Sequence, residues 1–318
     1  MLKYLLIPLA NDSVSFCHYD KGNKHDGLIS LDTLKDATFW AMKENLNIQF
    51  IYPDEEIPEE YKTAINTIDH TSVISSTCED EKLCSEAEVV VFDTWACINM
   101  YRFRSGVNYV IRCSKTEFFE NYRFLNIILP KVARLVIVLS DIDKFNDGDF
   151  EEYARTLDTL IPIVKEEYKK GHAVQFNLLT DRMLLDKMNN CNAGDESLTL
   201  APDGNFYICP AFYLDGSKPV GNIKDGLDIK NAQLYRLDHA PICRICDAYQ
   251  CRRCAWLNKK TTLEVNTPSH EQCVVAHIER NASKKLLEEI RTIGVFLPDK
   301  NISSIDYLDP FNKLIEKL

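Results

Sequence analysis

No apolar stretch in the chain approaches the roughly 20 consecutive residues that a membrane-spanning helix requires, so no membrane partner is expected. The opening segment "MLKYLLIPLANDSVSF" carries one lysine and a short apolar run broken by Asn11 and Asp12. It lacks the longer apolar core and small-residue cleavage site of a signal peptide and reads better as a strand. Positive charge is also in short supply: 37 Lys and Arg stand against 48 Asp and Glu, giving a net charge of −11. A phosphate backbone would be repelled by that balance, which argues against nucleic acid as a partner. The basic run "CRRCAWLNKK" reads as a solvated face. No G-x-G-x-x-G or P-loop pattern follows any apolar run, so a dinucleotide or nucleoside triphosphate site has no support. These absences place the chain in the cytoplasm, where thiols stay reduced and disulfides are rare.

What the chain does have is cysteine, twelve in 318 residues, unevenly spread. Cys17, Cys78, Cys84, Cys97 and Cys113 are scattered, whereas seven more lie between 191 and 273. That shift divides the chain into residues 1–188 and 189–318. In the first part, near-continuous β-branched runs at 3–9, 48–52, 88–92, 108–113, 135–139 and 174–179 read as strands buried on both faces. Amphipathic segments at 31–45, 58–68, 116–131 and 149–170 read as helices between them. Six strands alternating with helices predict an α/β domain with a parallel sheet, open or partly closed into a barrel. Ligands of such sheets bind at the carboxyl ends of the strands, here marked by Asp93, Cys113, Ser114, Ser140, Asp141, Asp143, Thr180 and Asp181. The plain reading of these polar residues is that they cap helices and form turns. "CEDEKLC" at 78–84 reads as an exposed loop, because its acidic surroundings disfavour thiolates. Cys97 and Cys113 read as packed apolar residues.

The second part begins with "SLTLAPDGNFYICP", a hairpin turning at Asp203-Gly204, and ends with a helix over 271–293 and a short one near "FNKLIEKL". Between them stands "CRICDAYQCRRC", four cysteines within twelve residues. Four thiolates suit zinc or a [4Fe–4S] cluster, and this spacing does not choose between them. Seven cysteines exceed one site and nearly fill two.

The whole pattern is Cys191-x12-Gly204-x4-Cys209, a gap, Cys243-x2-Cys246-x4-Cys251-x2-Cys254, a gap, then Cys273. It resembles the SPASM domain found at the C-terminus of many radical SAM peptide-modifying enzymes, whose pattern is C-x9–15-G-x4-C, gap, C-x2-C-x5-C-x3-C, gap, C. The first half matches, and the second is one residue shorter in each of two intervals. The resemblance implies auxiliary [4Fe–4S] clusters, one or two in number, with Cys243, Cys246, Cys251 and Cys273 on one. Cys191, Cys209 and Cys254 would go to the other, leaving an open iron or a fourth ligand such as Asp195 or His270. It also implies that residues 1–188 form a partial (β/α)6 TIM-like barrel, followed by a SPASM-like domain with a hairpin and a C-terminal helix.

The barrel departs from the family it resembles. The C-x3-C-x2-C motif that should follow the first strand is absent. If Cys17 in "SVSFCHYDKG" holds its third position, Ala10 and Val14 hold the other two, and neither ligates iron. The Gly-Gly-Glu pattern expected after the second strand is replaced by "PDEE" at 53–56. Cleavage of S-adenosylmethionine by the chain itself is therefore not expected. Segments such as "LLTDRMLLDKMNNCNAGDESLTLAPDGNFYICPAF" and "CDAYQCRRCAWLNKKTTLEVNTPSHEQC" look like the CXXX repeat peptide maturases. That likeness implies an accessory maturase for a cysteine-rich precursor peptide, acting with a separate radical SAM enzyme. The alternatives are a non-catalytic peptide-binding scaffold stapled by zinc or structural clusters, and an enzyme using Cys17, His18 and Tyr19.

Overall fold

A β-branched run buries its backbone best between two layers, and the long amphipathic segments of this chain supply one of them. The computed structural model describes residues 2–22, 27–96, 98–188 and 191–303. Its first part runs β1 (Tyr4–Pro8), α1 (Leu31–Lys43), β2 (Asn47–Ile51), α2 (Glu59–Ile65), β3 (His70–Ser75), α3 (Glu81–Glu86) and β4 (Val89–Phe92). It continues with β5 (Asn108–Cys113), α4 (Lys115–Asn121), α5 (Leu125–Ile128), β6 (Arg134–Leu139), α6 (Asp147–Lys169), β7 (Gln175–Phe176) and α7 (Asp181–Leu184). The second part holds β8 (Ser197–Leu200), β9 (Asn205–Tyr207), α8 (Pro210–Leu214), β10 (Gly221–Asn222), β11 (Gly226–Leu227), α9 (Ala255–Thr262) and α10 (His270–Arg291).

The eleven strands of the described residues join one sheet in the order β11-β10-β9-β8-β1-β2-β3-β4-β5-β6-β7. From β8 to β7 every neighbour is parallel, and β9 to β11 add an antiparallel edge. The fold is thus α/β with a large, mostly parallel, TIM-like sheet. Among the described residues, seven parallel strands precede residue 188 where six were expected. The extra one, β3, starts with the polar run His-Thr-Ser and so lacks the apolar signature of its neighbours. The expected strand at 174–179 shortens to Gln175–Phe176, and the expected helix at 116–131 breaks into α4, α5 and flanking 3-10 turns. The segment 78–84 is not a simple exposed loop. Asp80 caps α3 by accepting from the Leu83 amide, and Cys78 and Cys84 pack, half-buried, against the core. Cys97 and the expected helix near the C-terminus lie outside the described residues.

Successive strand residues face opposite sides of a sheet, and here the two sides differ. Leu5, Ile7, Ile48, Phe50, Ile74, Val90, Tyr109, Ile111, Leu135 and Ile137 belong to the large core shared with the helices. Ile51, Val73, Val91, Val110, Val136 and Val138 form a separate apolar cluster on the other side. Val14, from the loop after β1, is buried in that second cluster, and Phe16 packs against it.

The cysteine-rich part is stitched to the rest by sheet and helix. β8 pairs in parallel with β1, with Tyr4 opposite Ser197, and Lys3 forms an ion pair with Glu196 beside it. Val275, Ala282, Leu286, Leu287 and Ile290 of α10 enter the large core. Polar contacts between α10 and α6 flank that packing: Lys285 Nζ lies 2.8 Å from Asp158, and Lys165 Nζ lies 2.6 Å from Glu289.

Candidate metal centres and the cleft beside them

Three regions bring the cysteines together: the two flanks of the hairpin β8–β9, the loop 243–254 and the first turns of α10. None of the described cysteines is in a disulfide. The stretch "CRICDAYQCRRC" does not close on a single point. Arg253 adopts a left-handed backbone (φ 44°), a conformation that costs a non-glycine residue roughly 1–2 kcal/mol, and its side chain donates to the Tyr235 carbonyl at 2.5 Å. The turn sends Cys251 and Cys254 to different neighbours. Burial, helped by nearby Cys243 and Cys246, pushes the Cys251 thiol up to about 12. Cys243 is pushed to about 12 by burial and then by Cys273 and Cys246. Cys254 is likewise pushed to about 12 by burial, but its sulfur neighbours are Cys191 and Cys17. Cys209 is raised well above the ordinary thiol value by burial, Cys254 and Cys191.

The structure therefore sorts the cysteines into two neighbourhoods. One holds Cys243, Cys246, Cys251 and Cys273; the other holds Cys191, Cys209 and Cys254, with Cys17 beside them. Among the described residues no three Cys, His, Asp or Glu side chains converge tightly enough to grip one metal ion. Donors of the right chemistry are nonetheless gathered: thiols from buried Cys243 to exposed Cys191, whose sulfurs bind a cation as they lose their protons. Backbone amides also point at sulfur. The Leu257 amide lies 3.5 Å from Cys254 Sγ, and the Ala248 amide lies 3.4 Å from Cys246 Sγ.

One residue of the first neighbourhood escaped the sequence reading. His277, buried on α10, places Nε2 3.4 Å from Cys246 Sγ. It stands four residues after Cys273 on the same helix, a spacing that puts both on one face and could have flagged it. The other residues proposed as ligands lie elsewhere. His270 is exposed at the start of α10, its ring 6.2 Å from that of Phe150. Asp195 is absent from the walls of the cavity that Cys191, Cys209 and Cys254 share.

A buried ionic relay fixes the loop 243–254. Asp247 accepts from Arg280, which is fully buried on α10, and lies 3.7 Å from Arg182, buried on α7. The Arg182 guanidinium also stacks 4.4 Å from the Tyr249 ring centre. One carboxylate thus ties the cysteine loop to both the sheet domain and the last helix.

At the carboxyl ends of β6 and β7, a cleft opens between the sheet and the cysteine loop. His18, Asn177, Gln250, Arg252 and Glu279 present polar groups to it. His18 Nδ1 lies 2.9 Å from the Leu139 carbonyl, so Nδ1 carries the proton and Nε2 is the acceptor. Burial, with Arg252 nearby, pushes that imidazole down to about 4. Glu279 accepts from the Tyr153 hydroxyl at 2.8 Å, and burial pushes its carboxyl up to about 7. Cys17 is pushed up to about 11 by burial, so at neutral pH it is a thiol, and His18 spends its Nδ1 proton on Leu139 rather than on Cys17. This geometry does not make a Cys17–His18 nucleophile pair.

The polar strand ends behave as caps and ion pairs. Ser114 and Glu117 form a capping box, Asp141 accepts from the Lys115 amide at 2.8 Å, and Asp181 pairs with Arg134 at 3.0 Å. Cys113 is buried and its thiol is pushed up to about 12 by burial, in keeping with an apolar role. No helix among the described residues is long and apolar enough to cross a membrane.

No family model matches the chain. No curated protein matches it either. Among solved structures, the chain is similar to histidine-tagged anSMEcpe with bound AdoMet, at a TM-score of 0.64 and 15% sequence identity, over 94% of this chain and 98% of that one. It is also similar to native anSMEcpe with bound AdoMet and Cp18Cys peptide, at a TM-score of 0.62 and 15% identity, over 92% of this chain and 100% of that one. At such identity the likeness carries the fold, over nearly the full length of both chains.

Proposed function

We propose that this chain is an accessory maturase for a ribosomally made, cysteine-rich peptide. In this reading it carries auxiliary [4Fe–4S] clusters and acts beside a separate radical SAM enzyme in the cytoplasm. The observation that carries the reading is the pairing of two cysteine neighbourhoods with a sheet face on which the loop after β1 is packed. Val14 is buried in the valine-rich cluster on this face, and Phe16 packs against it. The same loop is pinned there by the Arg112 Nε donation to the Cys17 carbonyl at 2.8 Å and by His18 on Leu139. A chain built this way keeps the scaffold of its structural relatives without three thiolates after β1.

Cys243, Cys246, Cys251 and Cys273 would hold one cluster, and Cys191, Cys209 and Cys254 most of another. Such groups supply one-electron transfer when bound. The chain's own residues would do the rest: Arg252, Gln250 and Asn177 line the cleft as polar anchors for a peptide, and Asp247 holds the cysteine loop in place. The solved relative with a bound peptide supports a peptide partner for this fold.

Anaerobic purification with iron, sulfide and zinc analysis tests this reading, together with an S-adenosylmethionine cleavage assay. Roughly eight irons with matching sulfide, and no cleavage by the chain alone, are expected. One specific observation favours a second reading, a zinc-stapled peptide-docking scaffold: an imidazole at Cys246 suits a three-cysteine, one-histidine zinc site. About one or two zincs without sulfide would establish that scaffold and end the electron-transfer reading.

A further inference from the structure

The neighbourhood of Cys191, Cys209 and Cys254 is one thiolate short of a full set, and the missing sulfur is in view. A cavity is lined by all three of them and by Cys17, from the loop after β1, with Leu6 and Ile208 among its apolar walls. Its four sulfurs come from positions 17, 191, 209 and 254, so no sequence motif contains them. We propose that Cys17 is the fourth thiolate of this site, which thereby holds a fully ligated [4Fe–4S] cluster bridging the β1 loop and the cysteine-rich part. This inference rests on the reading of the cysteine neighbourhoods as cluster sites.

Three features place Cys17 for that role. Its backbone is fixed, with the carbonyl accepting from Arg112 and the next residue anchored on Leu139. Its side chain lines the same cavity wall as Cys191, Cys209 and Cys254, so the four thiols face one space. Arg252 interacts with its side chain, supplying positive charge next to a site that gathers negative sulfur. On assembly each of the four thiols gives its proton to solvent as its sulfur bonds iron, and no sulfur changes oxidation state. With Cys17 bound, no iron of this site is left open, so a substrate thiol has no vacant position to occupy there.

The experiment compares the wild type, Cys17→Ala, Cys17→Ser and Cys209→Ala after anaerobic reconstitution, by iron and sulfide content, EPR and Mössbauer spectra. The wild type is expected to hold roughly eight irons, and Cys17→Ala to lose between one and four of them, with a [3Fe–4S] signal on mild oxidation. Cys17→Ser, which keeps the volume and offers oxygen, is expected to keep its iron while the spectrum of one cluster shifts. It decides the matter if the alanine variant fails to fold. Wild-type iron and spectra in both Cys17 variants, with Cys209→Ala losing about half of its iron, would overturn this inference alone. A wild type that takes up no iron or sulfide would overturn it together with the proposed function.

Discussion

The two cysteine neighbourhoods are built on opposite principles. Cys243, Cys246, Cys251 and Cys273 lie within 31 residues of one another, on one loop and one helix, braced by Asp247 between two buried arginines. Cys17, Cys191, Cys209 and Cys254 are drawn from four separate segments, and only the completed sheet, with β8 laid along β1, brings them near each other. A local site inherits its order from its own chain. A distributed one exists only as far as the fold does. Substitutions should therefore damage the two sites through different routes, and that asymmetry is open to measurement.

The largest effect is expected at Asp247. Removing it by Asp247→Ala leaves Arg182 and Arg280 buried without their shared carboxylate, a loss of about 3–5 kcal/mol by the usual behaviour of broken buried pairs. Denaturant melts of metal-free protein should show it. In loaded protein, iron should fall at the local site first, because its loop loses the brace. Equal loss from both neighbourhoods would break the comparison.

Gly194 offers the reciprocal test. It holds a left-handed φ of 85°, and a Cβ there would sit 2.6 Å from the Tyr235 ring. Gly194→Ala should cost about 2–3 kcal/mol through backbone strain and the clash. Three residues from Cys191, the change should lower iron retention at the distributed site while the other keeps its own. A chelator challenge followed by EPR distinguishes them.

The same asymmetry decides what was legible beforehand. The Cys243-x2-Cys246 spacing announced the local site, because these two neighbours in sequence are also neighbours in space. The strands that were continuous β-branched runs were readable, and β3 was not, since its polar start hides a buried second half. Arg253 could not be foreseen as the residue that splits Cys251 from Cys254, because left-handed turns at arginine carry no sequence signal. Cys17 looked like a relic of a lost motif. Its place beside Cys254 depends on how a loop folds across a sheet face, and no local pattern encodes that.

His277 sharpens the comparison at lower cost. If its imidazole orients or supports Cys246, His277→Ala should weaken metal retention at the local site by about 10- to 100-fold, the range seen for residues that support ligands. Competition with a chelator should show release from that site with the distributed one unmoved. A spectrum unchanged in both would assign His277 to packing alone.

The smallest effect serves as the control, because it lies in neither neighbourhood. Glu167 is buried near the end of α6, with Lys170 Nζ at 2.8 Å and His172 Nδ1 at 3.1 Å. Burial alone would push its carboxyl up, but Lys170 and His172 together outweigh it and hold the group below the ordinary glutamate value. A depressed folded-state value means the stabilisation is fully present above the unfolded-state value of about 4.3 and is lost as pH falls through the folded one. Glu167→Gln should thus cost about 1 kcal/mol near neutrality and flatten the fall in stability below about pH 4.3, while leaving iron content untouched. Uptake of metal by the cysteines runs the other way: the Cys243, Cys251 and Cys254 thiols are raised by burial, so binding strengthens as pH rises and protons leave. Melts across pH in the two proteins separate an acid limb owned by the α6 carboxylate from an alkaline dependence owned by sulfur, and a Glu167→Gln variant that lost iron would show the two to be joined.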